Sequence, residues 1–511
     1  MDKTLLKKSD FLKIKSKFFI NRLVTYFSFL LIPIWLQKTV QLNLFFQSLT
    51  LLLYMFFMLG QWYLLGKEID HRLKIYYRAN SSMDRIIYRI LSGNIFIILF
   101  FNVLHLMPSQ IATLGFWIFF VSVGLFYSWP TRGKIIEESM AGQFGEFRFL
   151  DNFERTVLVM IAAMFLVSLP ELPLFQNIEA LKLYFDPREQ VHSVIWNFLS
   201  INYLPFDRYP KLFNLAWSFH FYVYGIGIFL LAFYCVLRFF FARRLAILGV
   251  FAVVSSWSFS RILAEDFLAS YTHTFPLLFV WALFWSSKSS TYRSGLLTGL
   301  VCAMGSMINV LYALLFPAML IAMPLLFSKT KTAWYKKQWL KYNILGGVIL
   351  LAVIFSHSET SFIFAPLRLK AIGEMFMTFF TRKAFYSVGF IGLIMVALFL
   401  LRKKGNSYSN VSFDNSKVSE MGFCLILFIG LSTMVNPLFV SNFTAMWILT
   451  VFSLVPLEWI FQSISRLRSK RNLIYVLYIL VCLLDSHFEG RVRIIGKMFL
   501  EDEIFKYINQ I

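Results

Sequence analysis

Long apolar runs alternate along this chain with short polar connections, most of them basic. The runs lie near residues 18–36, 43–65, 86–106, 110–129, 155–170, 213–237, 245–258, 271–287, 294–309, 310–328, 341–357, 385–401, 421–437, 441–462 and 472–485. Each has roughly the 15 to 25 residues that a helix needs to cross a hydrocarbon core about 30 Å thick. They are continuous and do not alternate polar with apolar positions, which excludes a transmembrane β-barrel. The stretch 294–328 is divided because Gly305, Asn309 and Pro317 interrupt it. Its two flanks are both basic (Lys288 and Arg293; Lys329, Lys331, Lys336 and Lys337), as two short antiparallel spans require. The pattern predicts an all-α polytopic integral membrane protein with about 15 transmembrane helices.

Composition agrees with this pattern. Of the 511 residues 58% are hydrophobic and 15% charged, and the mean hydropathy is +0.67. A soluble protein would carry about a quarter charged residues. The formal net charge of +22 would suggest nucleic acid in another setting. Here the cations sit in short loops between apolar runs, so no nucleic-acid partner is expected, and membrane lipid is. With the N-terminus in the cytoplasm, 35 of the 49 Lys and Arg fall inside and 14 outside, as the positive-inside rule demands. Cys235, Cys302, Cys424 and Cys482 lie within apolar runs and offer neither a disulfide framework nor a metal-ligand spacing. The segment Met1 to Arg22 carries seven cations, and no small-residue cleavage site follows near Pro33, so the first run is expected to be a retained helix.

The largest break in composition is at Trp129 to Arg155, with Pro130, Gly133, Gly142 and Gly145. It suggests an N-terminal four-helix transmembrane module over 1–150, a membrane module over 151–340 with an external loop at 171–212, and C-terminal transmembrane helices over 341–511.

Three segments on the expected outer face carry candidate chemistry. Glu171 to Leu212 holds Glu171, Glu179, Asp186, Glu189 and Asp207 with His192. Within it Val191, Val194, Ile195 and Phe198 fall at helical spacing, which predicts an amphipathic helix lying at the membrane surface. Ser258 to Ser270 contains Arg261 and the acidic pair Glu265 and Asp266 at the mouth of a membrane helix, where charge is costly to keep. Ser356 to Ala384 contributes Arg368, Lys370, Arg382 and Lys383 among Phe and Met residues. Each has a plainer reading: a loop carboxylate can be a solvated surface charge, and Arg261 with Asp266 can be an ion pair closing a helix end. Gly295-x3-Gly299 can be a helix-packing face. His220, inside an apolar run, can be a general base but is more simply a packed core histidine.

From Arg155 onward the order of elements is specific. One span opens into a long loop with carboxylates and a surface helix, then re-enters at Pro210. An aliphatic helix ends at Arg238, Arg243 and Arg244. After it come Ser-x-Ser-Arg-x4-Asp at 258–266, a Gly-x3-Gly helix and a turn at Asn309. Over roughly 155–330 this resembles the GT-C superfamily of polytopic glycosyltransferases, which includes protein mannosyltransferases and lipid A aminoarabinose transferases. The resemblance implies transfer of a sugar from a polyprenyl-phosphate donor to an acceptor at the external face of a bacterial plasma (inner) membrane. It maps the family's second acidic residue onto Asp266, with Arg261 beside it. The first maps less well, because Pro170-Glu171-Leu-Pro173 stands where an acidic pair is usual. Asp186, Glu189 and Glu171 all remain candidates for the base, and four N-terminal spans are additional to the common arrangement.

Chemistry sets the same demands without the family. A carboxylate must take the proton of the acceptor hydroxyl as its oxygen attacks the anomeric carbon. Cations must hold the phosphate leaving group, for which Arg261, Arg368, Lys370 and Arg382 are candidates. No bound cofactor is expected, the lipid-phosphate sugar being a co-substrate; a divalent metal and protein partners are left open. Alternative readings are a transporter or flippase of lipid-linked saccharides, a membrane-bound acyltransferase using His220, and a non-catalytic assembly scaffold.

Overall fold

The computed structural model describes residues 19–32, 44–73, 82–128, 150–168, 193–206, 220–255 and 469–486, with residues 216, 274, 277, 278, 301, 454 and 457 singly. Among the described residues the chain is helical and contains no strand. Three helices are long and apolar enough to cross a membrane, over Leu49–Asp70, Met83–His105 and Ser109–Ser128. The predicted spans between 271 and 462 lie outside the described residues, apart from the isolated positions named above. The chain divides into two compact units: Met1–Leu150 with Ser193–Phe219, and Asp151–His192 with His220–Ile511.

The first unit contains α1 (Phe19–Ile32), α2 (Leu44–Leu73), α3 (Ser82–His105) and α4 (Ser109–Ser128). It also contains α6 (Ser193–Asn202), followed by a 3-10 turn over Leu204–Phe206. Helices α2 and α3 form an antiparallel hairpin whose backbones approach closely at two glycines. A Cβ on Gly66 would overlap the Arg89 carbonyl, and one on Gly93 would overlap the Trp62 carbonyl. This is the small-residue packing on which membrane helices depend, because lipid offers no hydrophobic drive between them. The apolar run that suggested a span ending at residue 65 continues as helix through Lys67, Glu68 and Asp70. Asp70 is 1% exposed and accepts a 2.9 Å hydrogen bond from Arg89 Nε on α3. Arg89 Nη1 in turn donates to the Tyr63 hydroxyl at 3.0 Å. A buried pair of this kind is held by mutual neutralisation, and losing either partner strands a charge.

Helix α4 shows why these elements belong in lipid. Its buried face is Ala112, Phe116, Phe120, Val123, Gly124 and Ser128, while Ile111, Leu114, Ile118, Val121 and Leu125 are exposed. An outward face made of Ile, Leu and Val is stable in hydrocarbon and a liability in water. The Tyr127 hydroxyl donates to the Leu64 carbonyl, fastening α4 to α2. The Tyr26 hydroxyl lies 2.8 Å from Gln61 Oε1 and 3.0 Å from the Phe120 carbonyl oxygen, which ties α1 into the bundle.

The second unit contains α5 (Asn152–Ser168), a π-helical turn over His220–Gly225 running into α7 (Ile226–Phe240), α8 (Arg243–Ser255) and α9 (Arg471–Ser486). Among its described helices α8 is the most enclosed: every residue from Leu245 to Ser255 is buried, and α5, α7 and α9 all pack on it. A helix apolar on all sides belongs in such a position. Arg238 Nη1 donates to the Phe241 carbonyl at 2.8 Å and closes the sharp turn from α7 into α8. Helix α9 buries Tyr475, Tyr478, Ile479 and Cys482 and exposes Leu473, Val476, Leu477 and Leu480.

Candidate functional site

The candidate carboxylates Glu171, Asp186, Glu189 and Asp266 lie outside the described residues, as do the candidate phosphate-binding cations Arg261, Arg368, Lys370 and Arg382. What is described is α6, which follows the first three of these residues in the chain.

Helix α6 begins at Ser193, four residues after Glu189 and seven after Asp186 in the chain. It packs on α3 and α4 within the first unit. Of the four residues whose spacing suggested an amphipathic helix, Phe198 has a described side chain and is 0% exposed; Leu199 and Ile201, at 0% and 4%, are buried beside it. Phe198 stacks on Phe101 of α3 with ring centroids 6.0 Å apart. Ser200 Oγ lies 3.1 Å from His105 Nδ1, at the last residue of α3.

The end of α6 is closed by Tyr54 of α2. Asn202 is the last helical residue and 1% exposed, and its carbonyl is one of the groups a helix leaves without an internal partner. The Tyr54 hydroxyl donates to that carbonyl at 2.5 Å. In apolar surroundings an unmet carbonyl costs several kcal/mol, so a buried phenol at this point is a specific requirement. The same ring receives Phe206 edge-on at 4.9 Å and Tyr203 at 5.9 Å. Tyr54 therefore serves three residues of one short segment. No sequence signal marked it, because it lies 148 positions from its acceptor in an otherwise ordinary apolar run.

The second unit holds a charged cluster at the start of α5 and α8. Glu154 N–H donates to Asp151 Oδ1 at 2.7 Å, and Asp151 N–H donates to Glu154 Oε2 at 3.1 Å. This reciprocal pair is a capping box with Asp as the cap. The two carboxylates also meet the arginines of α8, Glu154 with Arg243 and Asp151 with Arg244. The signature Asp-x-x-Glu at 151–154 is legible in the sequence.

His220 is 1% exposed and stacks on Tyr224 at 5.5 Å with the rings 7° from parallel. Among the described residues no three His, Cys, Asp or Glu are grouped as a metal would need. Compared with protein families, characterised proteins and solved structures, the chain matches none.

Proposed function

We propose that this membrane protein transfers a sugar from a polyprenyl-phosphate donor to an acceptor at the external face of a bacterial plasma membrane. The observation that carries the reading is Ser258 to Asp266, where Arg261 and an acidic pair are kept between two apolar runs at a place where charge is expensive. In this reading the chain spans the membrane about 15 times with a cytoplasmic N-terminus, consistent with the partition of its cations.

The acceptor oxygen attacks the anomeric carbon while its proton passes to a carboxylate, Asp186, Glu189 or Glu171. The bond from anomeric carbon to phosphate oxygen breaks, and polyprenyl phosphate leaves with the electron pair. Arg261, Arg368, Lys370 and Arg382 offset the charge that develops on that phosphate, Arg doing so through a bidentate fork. Asp266 orients Arg261.

The test needs no knowledge of the acceptor. The full chain is reconstituted in liposomes with synthetic polyprenyl-phosphate sugars, and released polyprenyl phosphate is measured. Turnover above protein-free liposomes is expected for at least one hexose or pentose donor. Absence of release across the donor series, with added membrane-extract acceptors, would remove the reading.

A further inference from the structure

We propose that a groove along α1 binds an anionic phospholipid, one acyl chain lying along Leu23 to Ile32 and the phosphate at Arg22 and Lys67. The site lies within the first unit and does not depend on the sugar-transfer reading.

The groove has a volume of about 540 Å³ and, among the described residues, is lined by Leu23, Val24, Phe27, Ser28, Leu31 and Ile32. These six fall in two adjacent rows at four-residue spacing, so they form one stripe along the helix. Ser28 is the single polar member. From Leu23 to Ile32 the stripe rises about 14 Å, close to half of a hydrocarbon core about 30 Å thick. That is the depth of one leaflet. Val24, Leu31 and Ile32 are exposed, and in a membrane an acyl chain fills such a groove because an empty one forfeits its dispersion contacts. The side of α1 turned away from the stripe is held in the bundle by Tyr26, which meets Gln61 and the Phe120 carbonyl.

Charge gathers at one end of this groove. Arg22 directly precedes Leu23 on α1. Lys67 on α2 is within electrostatic reach of Arg22 and of Arg89 on α3. Tyr26 meets Gln61, so four residues back along α1 match six forward along α2, and Arg22 and Lys67 stand at the same end of antiparallel helices. Arg85, in the first turn of α3, belongs to that end too. Three carboxylates share it. Asp70 is buried against Arg89, and Asp84 is 1% exposed. Among the described residues the charges there that reach the surface are thus Arg22, Lys67 and Arg85, all half-buried, against Glu68. Three cations facing one carboxylate, beside an apolar groove one leaflet deep, match a phosphate headgroup with a chain attached.

The flanking sequence adds to this sign. Residues 11–22 carry Lys13, Lys15, Lys17 and Arg22 with no Asp or Glu, and residues 71–83 carry Arg72, Lys74 and Arg78 with none. Basic clusters next to a membrane helix favour anionic over zwitterionic lipid. In the orientation proposed above, the leaflet concerned is the inner one.

The test is native mass spectrometry of the full chain in detergent, titrated with dioleoyl phosphatidylglycerol or dioleoyl phosphatidylcholine, which share their chains and differ in headgroup. Wild type should hold the first phosphatidylglycerol more tightly. Arg22→Gln with Lys67→Gln should weaken that binding about thirtyfold, roughly fivefold for each cation. Arg155→Gln removes an exposed cation of α5 and should leave it unchanged. Val24→Trp fills the groove from an exposed position without altering charge, and should weaken both lipids. This variant decides the matter even if the double one does not fold. Equal affinity of wild type for the two lipids would overturn the site, as would an effect of Arg155→Gln equal to that of the double variant. So would unchanged binding in Val24→Trp. Tighter binding of polyprenyl phosphate than of phosphatidylglycerol would overturn the assignment to phospholipid.

Discussion

Glu154 accepts two hydrogen bonds from Arg243, Nε to Oε1 and Nη2 to Oε2, both 2.8 Å long. The carboxylate is 2% exposed and belongs to the capping box of α5; the guanidinium is 28% exposed and opens α8. One side chain therefore caps one helix and anchors the start of another.

This arrangement predicts an asymmetry. Arg243→Ala strands a buried carboxylate and should cost about 3 kcal/mol, the low end for a buried pair because Arg243 keeps some solvent. The double variant Arg243→Ala with Glu154→Gln removes the stranded charge and should be more stable than Arg243→Ala alone. Thermal unfolding of the purified protein in detergent checks the order. A double variant less stable than both single ones would mean that the pair is not the organising interaction.

The hairpin glycines predict opposite signs for one substitution. Gly66→Ala and Gly93→Ala drive a methyl group into a facing backbone carbonyl, and the helices must part at about 2–3 kcal/mol each. Gly60, on the same α2, has nothing within 4 Å of an added Cβ. There the gain in helix propensity should prevail, stabilising by about 0.5–1 kcal/mol. Melting temperatures of the three variants measure it, and a fall for Gly60→Ala equal to the others would show that glycine flexibility, not close packing, is at issue.

The distribution of cations predicts topology. Cysteines placed at Ser9 and Ser407 should resist a membrane-impermeant maleimide in intact cells, and one placed at Asn177 should react. Labelling of Ser407→Cys from outside would overturn the orientation proposed for the chain.

The candidate site predicts graded losses. Among Asp186→Asn, Glu189→Gln and Glu171→Gln, the variant that removes the base should lower single-turnover transfer by about two to four orders of magnitude. Asp266→Asn should hurt less, because an amide keeps one acceptor for Arg261 while losing the charge. Arg368→Ala and Arg382→Ala should weaken use of limiting donor without preventing insertion. Wild-type rates in all four carboxylate variants would end the glycosyltransferase reading.

Among the described residues, hydropathy marked where several helices lie. The run 110–129 appears as Ser109–Ser128 and the run 472–485 as Arg471–Ser486, because lipid forces each apolar stretch to satisfy its backbone within itself. That constraint is local, so sequence carries it. The spacing of Val191, Val194, Ile195 and Phe198 likewise indicated a helix with one face to bury, and Phe198 is fully enclosed. The sequence could also propose which charges are chemically useful, since Arg261 and Asp266 stand between two apolar runs where charge is costly, and Asp186 and Glu189 are candidates for the base. It could not say what they meet.

Tertiary structure decided the pairings. Helix α2 carries Asp70 as a buried charge because Arg89, 19 positions away on α3, meets it; the sequence shows only a charge at the end of an apolar run. Tyr54 looks like one aromatic residue among many until Asn202 arrives 148 positions later with a carbonyl to be satisfied. Glu154 and Arg243 are 89 apart. Hydrophobic burial in lipid is a property of a run and survives any arrangement of its neighbours. A hydrogen bond between distant helices depends on which faces meet, and that is settled only when whole helices pack.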